Sequence, residues 1–303
     1  MTAMTYQPRN APRVLALVAT ALLAGAAPLG ARAAAYQVLE PDQRPLDQLS
    51  ELGRQVYEAD RDHWNCAARG SFIGYGRRLA DVDELLQEAE FAAREAGRRL
   101  RLPDAPADAT LQIFLVRDDK TWQRLAREQG FRPDSLAVQV RDEMFLRDDP
   151  ALKVRVDRVS HEIIHYRLRQ AFGGRIPLWA DEGLAGYFGV KIAGAYRTER
   201  GRRLTGEVPA LPADDLLSLD QLSSLPRLPA SEAQARAYYR QAEEFIAELG
   251  WQFDDDRIAP FVHRLGDGEN WRKVLEGGYG MTPDRLAELE RAVRQRATTA
   301  RSL

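Results

Sequence analysis

The run His161-Glu162-Ile163-Ile164-His165 sets the hardest constraint on how this chain folds. On an α-helix, histidines four residues apart share one face a single turn apart, so both imidazoles reach the same ion. Glu162 falls about 100° round from His161, beside such an ion rather than on it. A base must stand there to take a proton from water. The other face, Val156, Val159, Ile163 and Ile164, is apolar and supplies core. The fold must therefore hold a helix here, from about Ala151 to Ala171, with one side packed and the other open. Gly173-Gly174 then stops it with a C-cap signal.

This spacing is the H-E-x-x-H arrangement of zinc hydrolases. A catalytic zinc takes three protein ligands and leaves a fourth position open, and two histidines with a glutamate form one of its standard sets. The following run, Pro177-Leu178-Trp179-Ala180-Asp181-Glu182-Gly183-Leu184-Ala185-Gly186-Tyr187, offers Glu182 in the first turn of a second helix. A carboxylate there also suits the helix dipole, and Asp181 is equally placed for that duty. Ala185, Gly186 and Gly189 share the face of Glu182. Small side chains on that face let the second helix, expected to reach about Ile192, approach the first closely.

The pairing of H-E-x-x-H with a Pro/Trp-led E-G-x-A-x-Y resembles the gluzincin metallopeptidases, most closely the group called peptidase MA-like, over residues 154–190. The resemblance implies that His161, His165 and Glu182 bind Zn²⁺ and that Glu162 is the catalytic base. It also implies that the strand before the metal helix lies at a sheet edge beside the active site, where extended substrate pairs with it. Related gluzincins supply a tyrosine from a downstream helix to the developing oxyanion. Ala237-Tyr238-Tyr239-Arg240-Gln241 is similar to the family's A-Y-Y-x-Q pattern, so Tyr239 is the first candidate, Tyr238 the second and His263 a rival. The chain departs from the pattern in two places. The aspartate that the thermolysin branch carries four residues after its glutamate ligand is replaced by Gly186, leaving the partners of the histidines unassigned. The G-x-M-E-N motif of aminopeptidases in this clan is absent, which favours endopeptidase action.

Arg9 and Arg13 precede an apolar run from Val14 to about Ala27, and Ala31-Arg32-Ala33 places small residues at −3 and −1. Residues 1–35 read as a secretory signal peptide cleaved after Ala33 or Ala35; an uncleaved anchor is the other reading. Export to the periplasm or outside a bacterial cell follows, with no later stretch apolar enough to span a bilayer. One cysteine, Cys66, permits no internal disulfide, so stability must come from a packed core. The 43 basic and 45 acidic residues are interspersed, which argues against a nucleic-acid partner.

Along the chain, Leu46–Ala59 has helical spacing, and His63–Tyr75 reads as a short strand or irregular ribbon, with His63 structural rather than a ligand. Asp81 is expected to cap a long amphipathic helix ending before Pro103. Thr110–Val116 is nearly continuous in apolar residues, the mark of a central strand. A helix around Thr121–Glu128 leads to Leu136–Leu146, a strand or hairpin. Tyr196–Ser231 is loop-rich, either a functional rim or loose cover. Helices are expected at Glu232–Leu249, Arg257–Leu265 and Asn270–Leu275. Thr282-Pro283 opens a last helix that frays beyond Arg294.

The expected fold is α+β and gluzincin-like. An N-terminal α/β lobe with a mixed sheet and edge strand, 36–150, packs beside a helical lobe, 151–303, with zinc in the cleft between them. The expected function is that of an exported zinc-dependent metallopeptidase acting on peptide or protein substrates. The alternative is a non-catalytic extracytoplasmic binding or scaffold module that kept the fold. The intact Glu162 argues against it, since a binder has no need of a base.

Overall fold

The six strands of the main sheet all fall in the first half of the chain, between Tyr36 and Arg147. The computed structural model describes residues 36–106, 108–129, 135–148, 155–201 and 207–302. The expected leader, residues 1–35, lies outside them. From Ala34 to Leu303 the chain forms one compact unit.

In chain order, β1 (Tyr36–Leu39) precedes α1 (Glu51–Ala59), and β2 (Asn65–Arg69) precedes β3 (Phe72–Gly76). Next come α2 (Leu79–Leu100), β4 (Leu111–Val116), α3 (Asp119–Gln129), β5 (Ala137–Val140) and β6 (Glu143–Arg147). The six strands form one mixed sheet in the order β1-β2-β3-β4-β6-β5. The long parallel links fall at β3–β4 and β4–β6, where helices carry the chain over; the hairpins β2–β3 and β5–β6 are antiparallel. The ribbon expected over His63–Tyr75 is the first hairpin, and Leu136–Leu146 is the second.

β4 sits in the middle, and all six of its residues are buried. Its alternation divides the core. Leu111, Ile113 and Leu115 join the larger cluster with α2, while Phe114 and Val116 join a smaller one with α1 and α3. On the smaller side the register aligns Tyr75, Phe114 and Phe145 across three strands. Their rings stack at 4.4 and 5.3 Å, adding roughly 0.5–1.5 kcal/mol per pair beyond burial. Cys66 is buried in this cluster, and burial pushes its thiol up to about 12.

A buried carboxylate ties α1 to the sheet. Glu143 accepts from the Ser50 N–H and hydroxyl, both at 2.6 Å, and Ser50 also caps α1 by accepting from the Gly53 N–H. A Cβ on Gly53 would overlap that carboxylate, so a side chain there would have to displace Glu143 from Ser50.

Beyond the sheet the described chain is helical except for one two-residue strand pair. α4 (Arg155–Phe172) stops where Gly173 takes φ +62°, as the C-cap signal predicts. α5 (Leu178–Glu199) follows, then β7 (Glu207–Val208), α6 (Leu219–Ser224), α7 (Glu232–Phe253), α8 (Asp255–Gly266), α9 (Trp271–Tyr279), α10 (Pro283–Ala297) and β8 (Arg301–Ser302). Among the described residues no helix is long and apolar enough to cross a membrane.

Several boundaries differ from the sequence reading. Arg78, not Asp81, is the N-cap of α2; Asp81 lies inside the first turn and pairs with the Arg78 guanidinium at 2.7 Å. Residues 46–48 form a short 3₁₀ turn, and α1 begins only at Glu51. α5 continues past Ile192 because Ala193 and Tyr196 are buried and anchor two more turns. α10 does not fray at Arg294: Ala297 is buried, and β8 pairs with β7 beyond it.

Candidate metal centre

The geometry begins with helix spacing. On α4, His161 and His165 stand one turn apart, and their Nε2 atoms approach to 3.1 Å. α5 lies against this face because Gly189 has no side chain; a Cβ there would sit 3.3 Å from the His161 backbone. That approach brings Glu182 over both rings. Its Oε2 lies 3.5 Å from His161 Nε2 and 3.4 Å from His165 Nε2.

These three separations have a direct meaning. Ligand atoms about 2.0–2.1 Å from a tetrahedral zinc are about 3.3–3.4 Å from one another. Edges of 3.1, 3.4 and 3.5 Å match that face of a tetrahedron. Among the described residues Glu182 Oε2 is buried and accepts no hydrogen bond of good geometry, so a charged oxygen faces two imidazoles where a cation would satisfy it. Among the described residues no other group of three histidine, cysteine or acidic side chains converges in this way. The donor set, two imidazoles and one carboxylate, suits zinc.

The charges of the cluster reinforce one another. Burial alone would raise the Glu182 carboxyl, but His165 and His161 outweigh it and hold the group far below the usual carboxylate range. Burial likewise opposes charge on His165, yet Asp181 and Glu182 hold its pKa well above the ordinary imidazole value.

Asp181 stands in the first turn of α5, as the helix-dipole reading has it, and makes a second contact that the sequence reading did not assign. Its Oδ2 lies 2.9 Å from His165 Nδ1. Nδ1 makes no hydrogen bond of good geometry among the described residues, but a proton on it would face this carboxylate and leave Nε2 free to bind metal. This supplies the histidine partner that Gly186 cannot. The signal was present, since a metal-binding imidazole needs an acceptor for its second nitrogen. Choosing between adjacent carboxylates, however, requires knowing where α4 lies. Glu182 itself stands in the second turn of α5 rather than the first.

The cluster opens into a cavity of about 590 Å³ whose lining includes His161, Glu162 and Glu182. Glu162 is half-buried on the cavity side of α4, beside the converging ligands rather than among them. β5 is the outermost strand of the sheet, and Ala137 from it reaches the cavity wall. Val208, Pro209 and Leu211 line it from the loop-rich segment, which is thus a rim in part.

The three oxyanion candidates separate. Tyr239 lines the cavity. Tyr238 does not; it is fully buried, its hydroxyl meets no hydrogen-bond partner among the described residues, and burial, with Glu182 and Asp181 nearby, raises its pKa. His263 is turned to the end of α2, with Nε2 3.2 Å from the Leu100 carbonyl and 3.1 Å from that of Arg101. His63 pairs with Asp60 at 2.8 Å on an exposed turn. The sequence reading also missed Arg301, which β8 brings to the cavity wall although it lies past the expected end of order.

The chain matches no model of a known protein family and no curated protein.

Proposed function

We propose that the chain is a zinc-dependent peptidase of the gluzincin, MA-like type, exported to the periplasm or beyond, and that it cleaves peptide or protein substrates internally. The convergence of His161 Nε2, His165 Nε2 and Glu182 Oε2 at 3.1–3.5 Å, with Glu162 beside it on an open cavity, carries this reading. The two-lobed arrangement belongs to the same proposal: a sheet-bearing lobe, 36–150, and a helical lobe, 151–303, would flank the cavity. In this reading an extended peptide would pair with β5, the strand at the sheet edge.

Zinc held by His161, His165 and Glu182 would acidify a water molecule and polarise the scissile carbonyl. The remaining work falls to the chain's own groups. Glu162, as a carboxylate, takes the proton from the attacking water and returns it to the leaving amine nitrogen. Tyr239 donates a hydrogen bond from its hydroxyl to the oxygen that becomes negative as the carbonyl turns tetrahedral. Asp181 keeps the His165 ring in one tautomer throughout.

Metal analysis of the purified chain, paired with a peptide-library digest, tests this reading. Wild type should carry stoichiometric zinc, and His161→Ala or His165→Ala should carry none. Glu162→Gln is nearly isosteric and should keep its zinc while losing at least about 10²-fold in kcat. Full activity in Glu162→Gln would remove the base assignment. Lost zinc in that variant would make Glu162 a ligand. An inert wild type that binds a partner as tightly as Glu162→Gln does would favour the scaffold alternative.

A further inference from the structure

The face of α7 that lines the cavity carries a buried charge arrangement that water activation does not use. Arg240 follows Tyr239 directly, lines the same cavity and is only 6% exposed. Its Nε lies 3.1 Å from Glu244 Oε1. That oxygen is shared, because Arg301 Nη1 lies 3.0 Å from it. Among the described residues, Nε, Nη1 and Nη2 of Arg240 and both carboxylate oxygens of Glu244 are buried and make no hydrogen bond of good geometry, so the pair is held by charge alone and Nη1 and Nη2 have no acceptor. A guanidinium offers its donors as a flat, rigid fork, and burying the outer half of that fork without acceptors is strongly unfavourable.

The neighbouring charges show which cations remain available. Arg236 is held by Glu232, and Arg301 by Glu243 as well as Glu244. Arg158, exposed on α4 just before His161, lines the cavity and makes no ion pair among the described residues. Glu232 and Glu243 are thus each paired with an arginine, and Glu244 lies between two, Arg240 and Arg301, leaving the outer fork of Arg240 and the rim cation Arg158 without a carboxylate of their own among the described residues.

We propose that Arg240, assisted by Arg158, forms an anion subsite that receives a carboxylate of the substrate, either a free C-terminus or an Asp or Glu side chain. The identity of the ligand rests on the peptidase reading; the charge arrangement does not. A carboxylate is the natural complement, since two coplanar oxygens match the two outer nitrogens of the fork. A more highly charged anion would meet Glu162, Glu232 and Glu243 in the same cavity. The subsite gives the cavity a substrate class: peptides with a negative charge a short distance from the scissile bond.

Matched peptide pairs test the assignment on the full chain. One pair differs only as C-terminal acid against amide, the other only as Glu against Gln within the sequence. Wild type should show kcat/KM at least about tenfold higher for the carboxylate member of one pair, and the pair affected identifies the source. Arg240→Gln should reduce that ratio to near one, and Arg240→Lys, which keeps the charge without the fork, should retain part of it. Circular dichroism checks folding, and Arg240→Lys carries the test if Arg240→Gln does not fold. Equal kcat/KM within both wild-type pairs overturns the subsite and leaves the peptidase reading standing, as does a ratio that survives in both Arg240 variants. Binding of the same peptides, fluorescently labelled, covers a chain that cleaves none of them. At least about tenfold tighter binding of the carboxylate member, lost in Arg240→Gln, would keep the subsite and overturn the hydrolase reading. Absence of both cleavage and selective binding overturns both.

Discussion

At the scale of single residues, Asp181 governs how well the candidate centre can hold an ion. An imidazole binds metal through one nitrogen only when the other keeps the proton, and Oδ2 of Asp181 lies 2.9 Å from His165 Nδ1. Asp181→Asn preserves the size of the side chain and removes its charge. Zinc affinity should fall about 10–100-fold, read by competition with a chromophoric chelator, while the circular dichroism spectrum stays as in wild type. Unchanged affinity would show that the carboxylate does not hold the ring. The roles at this scale were unequally legible. That His161 and His165 share one face, with Glu162 beside it, follows from the pitch of a helix and needs no tertiary knowledge. Adjacent carboxylates on α5 point about 100° apart, and only the position of α4 decides that Glu182 meets both Nε2 atoms while Asp181 meets Nδ1. The anion subsite was hidden for the same reason, since Arg240 reads in the sequence as one arginine among many.

At the scale of elements, three glycines set the spacing of α4, α5 and α7. A Cβ at Gly189 would press on the His161 backbone at 3.3 Å, and one at Gly186 on Glu243 Cβ at 3.2 Å. A Cβ at Gly183 would overlap the carbonyl oxygen of Ala242. Gly183→Ala must push α5 from α7 against rigid backbone and should cost about 1–3 kcal/mol or more, seen as a lower denaturant midpoint. Gly189→Ala asks α4 to give by a few tenths of an ångström. Its stability should change less, but zinc affinity should drop roughly threefold to tenfold because the ligand triangle is stretched. A Gly189→Ala variant with lower stability and unaltered affinity would separate helix spacing from the metal centre. Small residues at i+3, i+4 and i+7 from Glu182 announced a close approach; which partner each glycine meets was not readable. Elements whose limits are local were legible, as with β4, the Gly173 stop of α4, and Thr282 with Pro283 opening α10. Limits set by distant contacts were not. α5 runs beyond Ile192 on buried Ala193 and Tyr196, α10 reaches Ala297, and Asp81 yields the cap position to Arg78.

At the scale of the whole molecule, the three candidate ligands come from two helices, so an ion there would act as a cross-link between α4 and α5. With a single, buried cysteine, the chain has no disulfide to do this. The pair lies at the centre of the larger core, where α4 contributes Val159, Ile163 and Ile164 and α5 contributes Leu184, Phe188 and Ile192. Loss of the ion would therefore leave packed helices in place, with the Glu182 carboxylate facing only the two imidazoles. A ligand that binds only the folded chain stabilises it by RT ln(1 + [L]/Kd), about 4 kcal/mol at a thousandfold excess over Kd. For a domain of this size that corresponds to a rise in Tm of roughly 10 °C. Treatment with a strong chelator should lower Tm by about that amount, and added zinc should restore it. His165→Ala should melt near the chelated wild-type temperature and respond to neither treatment. Arg240→Lys should keep the full chelator response, because its subsite is separate from the ligands. Identical melting of wild type with and without chelator would mean that the convergence of His161, His165 and Glu182 does not hold a resident cation.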